Sequence, residues 1–355
     1  MNTGEKGRVR VLVAGCGGIG GVAAGLLSEA GLAEVVSYST NADIAAAVNG
    51  RGYQLTGAEA PRAVPGRCVT ALDPAEGLYD YVLLAVQPPQ VEAAARQVAS
   101  VLAPDGAAVC LQNGLCEARI APILGPERVL GAVVGWGATM PAPGVYERTA
   151  KNGFVLGRLD QKPDPRLERL ATLLGCIGPT QVSPNFAGAR WSKLAINCAI
   201  STLGTLGGER LGSLMVSIRV RRLALRIMSE TVRVAHAEGV ALEKVSGTLD
   251  LDWIALTERE ERAVASPGLF AKHAMLLAVG ARYRRMKSSM LSAIERGRPA
   301  AVDYLNGEVV SRGAGHHIAT PVNAAAQAMV HAVARGERRS SMATIYDLAA
   351  QVGVG

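Results

Sequence analysis

Lys193 and Asn197 are the two residues of this chain whose types and spacing could do chemistry together. Side chains four residues apart lie on one face of a helix, so this ammonium and this amide would point into the same space. There the ammonium can protonate a carbonyl oxygen and the amide can orient it. A solvated surface lysine beside a capping or core amide is the alternative interpretation, and the surrounding elements must decide between the two.

The chain length of 355 residues predicts two domains and an ample core. Hydrophobic residues make up 49% of the chain and charged residues 19%, a balance typical of globular enzymes rather than disordered chains. The net charge of +7 is spread without a long basic tract, and aromatic residues are scarce at 4%. These features argue against a nucleic-acid partner and favour a small phosphorylated or carboxylate ligand.

The six cysteines show no CxxC motif and no regular spacing, which indicates reduced thiols in a cytoplasmic protein. The amino terminus lacks the apolar segment of a signal peptide, and no run of about 18 apolar residues follows, so we expect neither secretion nor membrane insertion. We also expect no metal site. The adjacent His316 and His317 have no cysteine or carboxylate at ligand spacing.

A glycine-rich loop follows the first predicted strand, residues 8–14, and precedes an apolar stretch, residues 21–30, that is typical of a helix. The loop reads Gly15-Cys16-Gly17-Gly18-Ile19-Gly20. In this context Gly15 permits a tight turn, Gly17 lets a pyrophosphate approach the backbone, and Gly20 lets the helix pack closely on the strand. The loop therefore predicts a dinucleotide-binding site at the amino end of the helix.

The tip of the second predicted strand, residues 34–38, reads Ser39-Thr40-Asn41. A carboxylate at this tip would bind the ribose hydroxyl of NAD, whereas a basic side chain would bind the additional phosphate of NADP. The tip carries three neutral side chains. The absence of a carboxylate that would repel the phosphate favours NADPH as the cofactor, with NADH left open.

Two further predicted strands, residues 79–86 and 107–111, end in polar turns, and ligands of open α/β sheets bind at such ends. Asn113, in the turn Gln112-Asn113-Gly114, could contact the nicotinamide ribose or the substrate, although Asn-Gly is also a common turn without a function. Additional strands are predicted over residues 128–134, 135–139 and 152–157, and a helix over residues 165–174.

From residue 186 onward the hydrophobic periodicity is that of helices. It is clearest over residues 219–238, 268–283, 304–313 and 322–333. The predicted fold class is therefore α/β, with an N-terminal Rossmann-type doubly wound sheet over residues 8–184 and an all-α C-terminal domain over residues 185–345. Lys193 and Asn197 fall at the start of the helical domain, where a reductase of this arrangement would bind its substrate.

Several motifs occur in the order typical of one enzyme family. They are the glycine loop, Gln112-Asn113-Gly114, residues 193–197, Ser288-Ser289-Met290, Asp303-Tyr304-Leu305-Asn306-Gly307 and residues 318–323. With these motifs the chain resembles the ketopantoate reductases (2-dehydropantoate 2-reductases) over residues 8–340. The resemblance implies a cytoplasmic, NADPH-dependent oxidoreductase that reduces a 2-oxo acid in pantothenate biosynthesis.

The resemblance also implies roles for individual residues. Lys193 would be the general acid that protonates the carbonyl oxygen, and Asn197 would orient the substrate. Asn113 would contact both cofactor and substrate. Ala138 would contact the cofactor, and Ser289 the substrate carboxylate. Because the family often dimerises through its helical domain, a homodimer is expected.

The chain departs from the family pattern in both the cofactor site and the substrate site. In the cofactor site, Thr40 and Gln87 stand where the family usually carries basic residues that bind the NADP phosphate. In the substrate site, Ser201, Leu211 and Ala301 replace two asparagines and a glutamate. We therefore hypothesise, as an alternative, a less polar 2-oxo acid or a related carbonyl or imine substrate. A catalytically degenerate cofactor-binding homologue is a second alternative, against which the retained lysine and first asparagine argue.

Overall fold

The computed structural model describes residues 8–245 and 249–354, and the chain divides into two compact units. Of the described residues, the first unit holds those up to Gln112 and again Cys116–Phe186, and the second holds Asn113–Leu115 and those from Ala187 onward. Each unit is built around a hydrophobic core of its own, as expected of a domain.

The strands of the first unit are β1 Arg10–Ala14, β2 Glu34–Tyr38, β3 Tyr53–Gly57, β4 Arg62–Val64, β5 Cys68–Val69, β6 Tyr79–Leu84, β7 Leu102–Cys110, β8 Val129–Val134, β9 Ala138–Ala142, β10 Val145–Arg148, β11 Phe154–Gly157 and β12 Thr180–Val182. Its helices are α1 Gly18–Ala30, α2 Ala42–Arg51, α3 Val91–Val98, α4 Cys116–Leu124 and α5 Pro165–Leu174. The remaining helices are α6 Phe186–Gly207, α7 Leu211–Val216, α8 Ile218–Ala237, α9 Leu251–Ile254, α10 Glu258–Arg262, α11 Pro267–Arg282, α12 Ser289–Glu295, α13 Asn306–Gly315, α14 Pro321–Ala334 and α15 Met342–Gln351.

Strand β1 lies inside an eight-stranded sheet with the order β12-β11-β8-β7-β6-β1-β2-β5. Strand β1 pairs in parallel with β2 on one side and with β6 on the other. The parallel pairing continues from β6 to β7 and from β7 to β8, whereas β11 pairs antiparallel with β8. Val11, Leu12 and Val13 are buried, because a parallel strand covered on both faces has no solvent side. The predicted doubly wound sheet is confirmed.

A second sheet, with the order β4-β3-β10-β9, is a feature that the sequence analysis does not predict. The strand predicted over residues 135–139 is wrong for residues 135–137, since β8 ends at Val134 and β9 begins at Ala138 in the other sheet. Between the two strands Trp136 is buried and packs edge-on against Phe154, with ring centroids 5.8 Å apart. Burial of the indole thus takes the place of strand pairing at the point where the chain changes sheets.

The second unit confirms the predicted all-α domain, because α6 to α15 surround one hydrophobic core. None of the helices in the described part of the chain is both long and apolar enough to span a bilayer. The adjacent His316 and His317 follow the last residue of α13, and His316 hydrogen-bonds Glu238 at 3.0 Å. These histidines therefore end a helix.

Buried polar side chains cross the helical core and fix the position of α6. Glu230 on α8 accepts hydrogen bonds from the backbone N–H groups of Val322 and Asn323, both at 2.9 Å, and from the Asn323 side chain at 2.8 Å. The Asn323 side-chain oxygen accepts a bond from Asn306 Nδ2 at 2.9 Å, and Thr202 on α6 donates to Asn306 at 2.5 Å. Because buried polar groups are stable only when paired, the two motif asparagines join four helices and have a structural function.

Candidate active site

The glycine loop turns sharply between β1 and α1. Gly15 has a φ of +102°, which an L side chain rarely adopts, and its N–H donates to the Tyr38 carbonyl at 2.9 Å. Helix α1 begins at Gly18, earlier than the sequence analysis predicts, and no side chain caps its first turn within the described residues. The backbone N–H groups of that turn are therefore available to an anion.

The other glycines of the loop differ in what surrounds them. A Cβ on Gly20 would lie 1.9 Å from the Gly15 carbonyl oxygen, and a Cβ on Gly18 would lie 2.6 Å from the Ala138 carbonyl oxygen. A Cβ on Gly17 would meet nothing within 4 Å. The open space at Gly17 and the uncapped helix fit the pyrophosphate of a dinucleotide, and Ala138 lies directly beside this loop.

Cys16 faces away from that open space. Its Sγ and the Tyr146 hydroxyl are joined by a 3.0 Å hydrogen bond, and both side chains are buried. A hydrogen bond from Cys68 and the bond to Tyr146 lower the pKa of the Cys16 thiol. Cys16 therefore supplies its backbone to the loop, and Ile19 packs partly on the hydrophobic core. The six cysteines are all free, and Cys176 is the exposed one.

The tip of β2 carries a capped helix rather than a cluster of phosphate ligands. The Asn41 side chain accepts hydrogen bonds from the N–H groups of Asp43 and Ile44, at 2.8 and 3.3 Å, and caps α2. Thr40 and the Asp43 carboxylate are exposed at this tip, and Gln87 is exposed after β6. The Asp43 carboxylate, three residues beyond Thr40, is a feature that the sequence analysis missed.

The turn at Asn113 belongs to the helical unit. Gly114 has a φ of +92°, and a Cβ there would lie 2.4 Å from the Tyr304 carbonyl oxygen. Leu115 is buried in the helical core. Glycine is thus required for this turn to pack against the motif that contains Tyr304, and Asn113 is held there half-buried.

Lys193, Asn197 and Ser201 form one row along α6, and each is half-buried. Burial, together with the smaller effect of the positive charge of Arg190, lowers the pKa of the Lys193 ammonium to about 8. The Asn197 Nδ2 atom is buried and has no hydrogen-bond partner among the residues that the structure describes. An unpaired buried donor is destabilising by about 1–3 kcal/mol, so this amide is suited to bind an acceptor on a ligand.

Arg190 is a residue that the sequence analysis missed. It lies three positions before Lys193 on α6 and is only 1% exposed. Its spacing on the same face was visible in the sequence, but burial of an arginine cannot be read from spacing. Its guanidinium adds positive charge where Lys193 and Asn197 lie.

Ser289 is the first residue of α12 and is exposed. The preceding Ser288 is buried, donates to the Ser201 carbonyl at 2.9 Å and shares a 2.9 Å hydrogen bond with Thr205. These bonds join the start of α12 to α6. The structure therefore brings Ser289 into the same part of the helical unit as Ser201. In the described part of the chain, no group of His, Cys, Asp and Glu residues could hold a metal ion.

Two family models match the chain. "Ketopantoate reductase PanE/ApbA" matches residues 11–161, and "Ketopantoate reductase PanE/ApbA C terminal" matches residues 185–334. Together the matches cover well over half of the chain. The chain belongs to the ketopantoate reductase family. A curated 2-dehydropantoate 2-reductase from Halobacterium salinarum is 28% identical over 318 residues, which are 88% of this chain and 95% of that protein.

Solved structures of the ketopantoate reductase fold cover nearly the whole chain. A family member from Ralstonia eutropha aligns with a TM-score of 0.77 and 25% identity over 93% of this chain and 99% of that one. A D-mandelate dehydrogenase with NADH and anilino(oxo)acetate aligns with a TM-score of 0.76 and 18% identity over 92% and 99%. A dimeric ketopantoate reductase from Staphylococcus aureus aligns with a TM-score of 0.66 and 16% identity over 93% and 100%.

Two of the residues that we expect to replace polar groups of the family are apolar in their surroundings as well as in type. Leu211 is 3% exposed and belongs to the hydrophobic core of the helical unit, and Ala301 packs against the same core. The nearby Asp303 accepts hydrogen bonds at 2.7 Å from Gln327 and hydrogen-bonds His331 at the same distance. Leu211 and Ala301 therefore contribute apolar packing to the helical unit.

The two glycines of the loop allow a test of cofactor binding that separates binding from folding. Gly17→Ala should leave the melting temperature unchanged but weaken binding of a nicotinamide dinucleotide, probed with NADH, about tenfold or more, because its Cβ would fill the open space beside the uncapped N–H groups of α1. Gly20→Ala should destabilise the loop itself, because its Cβ collides with the Gly15 carbonyl. Fluorescence titration and thermal melts measure both effects. Tight NADH binding by Gly17→Ala would show that no pyrophosphate lies there.

Proposed function

We propose that this ketopantoate reductase family member reduces a 2-oxo acid to the 2-hydroxy acid. The observation that carries the proposal is the pairing on α6 of the half-buried Lys193, whose pKa is about 8, with the Asn197 Nδ2 atom, which is buried and has no hydrogen-bond partner among the described residues. A surface lysine would keep an ordinary pKa, and a core amide would be paired. The interpretation of Lys193 as a solvated surface lysine and of Asn197 as a capping or core amide is therefore disfavoured.

In the proposed reaction a reduced nicotinamide, when bound, supplies hydride to the carbonyl carbon. Lys193 donates its proton to the carbonyl oxygen as negative charge develops there, and Asn197 Nδ2 donates a hydrogen bond to the substrate. The exposed Ser289 hydroxyl at the start of α12 favours a substrate that carries a carboxylate. The product is a 2-hydroxy acid, and the neutral Lys193 amine regains its proton from solvent.

Ketopantoate is the reference substrate, because curated relatives of this chain are 2-dehydropantoate 2-reductases. A less polar 2-oxo acid is a second candidate, favoured by the core packing of Leu211 and Ala301. The D-mandelate dehydrogenase of the same fold was solved with anilino(oxo)acetate, whose side group is aromatic. Sites that pair substrate hydroxyls discriminate strongly, so the loss of such groups should reduce selectivity for ketopantoate.

A panel of 2-oxo acids tests the proposal. Purified protein is mixed with NADH or NADPH and with ketopantoate, branched aliphatic or aromatic 2-oxo acids, and the loss of nicotinamide absorbance is followed. We expect turnover with at least one acid and a higher kcat/KM for the apolar acids than for ketopantoate. No turnover with any of them would leave the degenerate cofactor-binding homologue as the better interpretation.

We further propose NADH as the preferred cofactor. The exposed Asp43 carboxylate lies three residues beyond Thr40 and disfavours the additional phosphate of NADPH. Asn41 is engaged as the cap of α2, so its side-chain oxygen does not contribute a phosphate ligand. Thr40→Arg should raise the NADPH-to-NADH ratio of kcat/KM about tenfold or more, the effect of one hydrogen bond to a charged group. Thr172→Arg, on the exposed side of α5, is the control. An unchanged ratio in Thr40→Arg would exclude this tip as the site that selects the cofactor.

The proposal also includes a cytoplasmic homodimer. The Staphylococcus aureus structure of this fold is described as dimeric. The six free cysteines, five of them buried, are typical of a reducing compartment.

A further inference from the structure

Tyr146 of β10 lies directly behind the glycine loop. Its side chain is fully buried, and its hydroxyl donates a hydrogen bond to the Cys16 carbonyl at 3.3 Å. The same hydroxyl shares the 3.0 Å hydrogen bond with Cys16 Sγ. One side chain of the second sheet thus holds both the backbone and the side chain of a loop residue.

The ring of Tyr146 is fixed by close packing. A Cβ on Gly21 of α1 would lie 2.0 Å from the ring atom Cε1, so the helix can approach β10 this closely only because position 21 is glycine. The ring of Tyr53 also lies near, with centroids 6.1 Å apart. The hydroxyl therefore reaches Cys16 from a ring that has little room to move.

The bond to the Cys16 carbonyl determines the direction of the next amide. A peptide unit is planar and trans, so the Cys16 carbonyl and the Gly17 N–H point in opposite directions. Because the carbonyl points to Tyr146, the Gly17 N–H points away from it. A Cβ on Gly17 would meet nothing within 4 Å among the described residues. Gly17 therefore combines an N–H turned away from Tyr146 with open space for a ligand.

The second sheet supports the same loop at another point. A Cβ on Gly18 would lie 2.6 Å from the Ala138 carbonyl oxygen of β9. Strands β9 and β10 pair antiparallel, so Ala138 and Tyr146 belong to one hydrogen-bonded ribbon. This ribbon contacts the loop at Cys16 and at Gly18, on both sides of Gly17.

We propose that Tyr146 is a positioning residue for the pyrophosphate of the dinucleotide: its hydroxyl holds the Cys16–Gly17 peptide so that the Gly17 N–H donates to a phosphate oxygen. This inference rests on the dinucleotide cofactor of the proposed function and names a residue that shapes its site. Tyr146 acts through one peptide group and does not itself contact the cofactor.

Tyr146→Phe tests the proposal, because it removes the hydroxyl and keeps the ring that packs on Gly21. Calorimetric titration with ADP, which carries the pyrophosphate without the nicotinamide, should show an affinity about tenfold below that of the wild type. In the reductase assay the KM for NADH should rise by a similar factor. The kcat at saturating NADH and the KM of the 2-oxo acid should stay unchanged.

Tyr53→Phe is the matched control. Tyr53 is equally buried in the same sheet, but its hydroxyl shares a 2.7 Å hydrogen bond with Ser37 of β2 rather than with the loop. Each variant loses one buried hydroxyl, so the two melting temperatures should fall by similar amounts. Only Tyr146→Phe should lose affinity for ADP.

Combination with Gly17→Ala tests whether both changes act on the same peptide group. When residue 17 is already alanine, Tyr146→Phe should weaken ADP binding by less than about threefold, because effects that share a partner are not additive. Losses that multiply in the double variant would overturn the action of Tyr146 through this peptide.

The outcomes separate the positioning residue from the function. An ADP affinity of Tyr146→Phe within about twofold of the wild type, or an equal loss in Tyr53→Phe, would overturn the positioning role and leave reduction of the 2-oxo acid untouched. A wild type that binds neither ADP nor NADH would overturn the dinucleotide site and the proposed function with it.

Discussion

Replacing Lys193 by alanine should lower kcat for reduction of the 2-oxo acid about 10³-fold, the contribution typical of a general acid, while NADH affinity stays within about twofold. The proton that the ammonium supplies has no substitute on the described part of α6, where Asn197 is an amide and Ser201 a hydroxyl. Lys162→Ala, at a 75% exposed lysine, is the matched control and should leave kcat unchanged. Turnover by Lys193→Ala at the wild-type rate would remove this residue as the acid.

The same lysine should set the pH dependence of the proposed reaction. Reduction requires the protonated amine, and burial lowers its pKa to about 8, so kcat/KM should fall tenfold per pH unit above about pH 8. Oxidation of the 2-hydroxy acid requires the neutral amine and should rise through the same pKa. Profiles of both directions measure this reversal. A reduction rate that is flat from pH 7 to about pH 10 would be incompatible with Lys193 as the proton donor.

Glu230→Ala should destabilise the protein by about 3–5 kcal/mol, because it leaves the donors of Val322 and Asn323 buried without an acceptor. For a unit of this size the melting temperature should fall by about 10 °C. Glu295→Ala, at an exposed glutamate, should change the unfolding free energy by less than about 0.5 kcal/mol. Equal stability of Glu230→Ala and Glu295→Ala in urea titrations would show that the network contributes nothing.

The elements that sequence predicts well are those whose signal is local. β1, the glycine loop and α1 are recognisable because a buried strand, a tight turn and a helix follow one another without interruption. The second sheet is not, because β3 pairs with β10 about ninety residues later and β4 has three residues. Short strands with distant partners carry almost no local pattern.

The candidate site likewise contains some residues that local sequence signals predict and others that they do not. The four-residue spacing of Lys193 and Asn197 predicts their common face, and α6 carries both. Arg190 and Asp43 escaped notice because their importance depends on burial and on a helix cap, which are properties of the folded chain. Asn306 was recognised as part of a motif, but its structural function is visible only in the bonds that it makes to neighbouring helices.

The polar network through the helical core has a consequence for how substrate range can be changed. Asn306 bonds α6 at Thr202 and at the Cys198 carbonyl, next to the row that contains Ser201. We therefore expect that the side chain at position 201 can be exchanged without loosening the helix that carries Lys193. Libraries randomised at Ser201, with the network left intact, should keep most members folded and make this chain a tractable starting point for engineered 2-oxo acid selectivity.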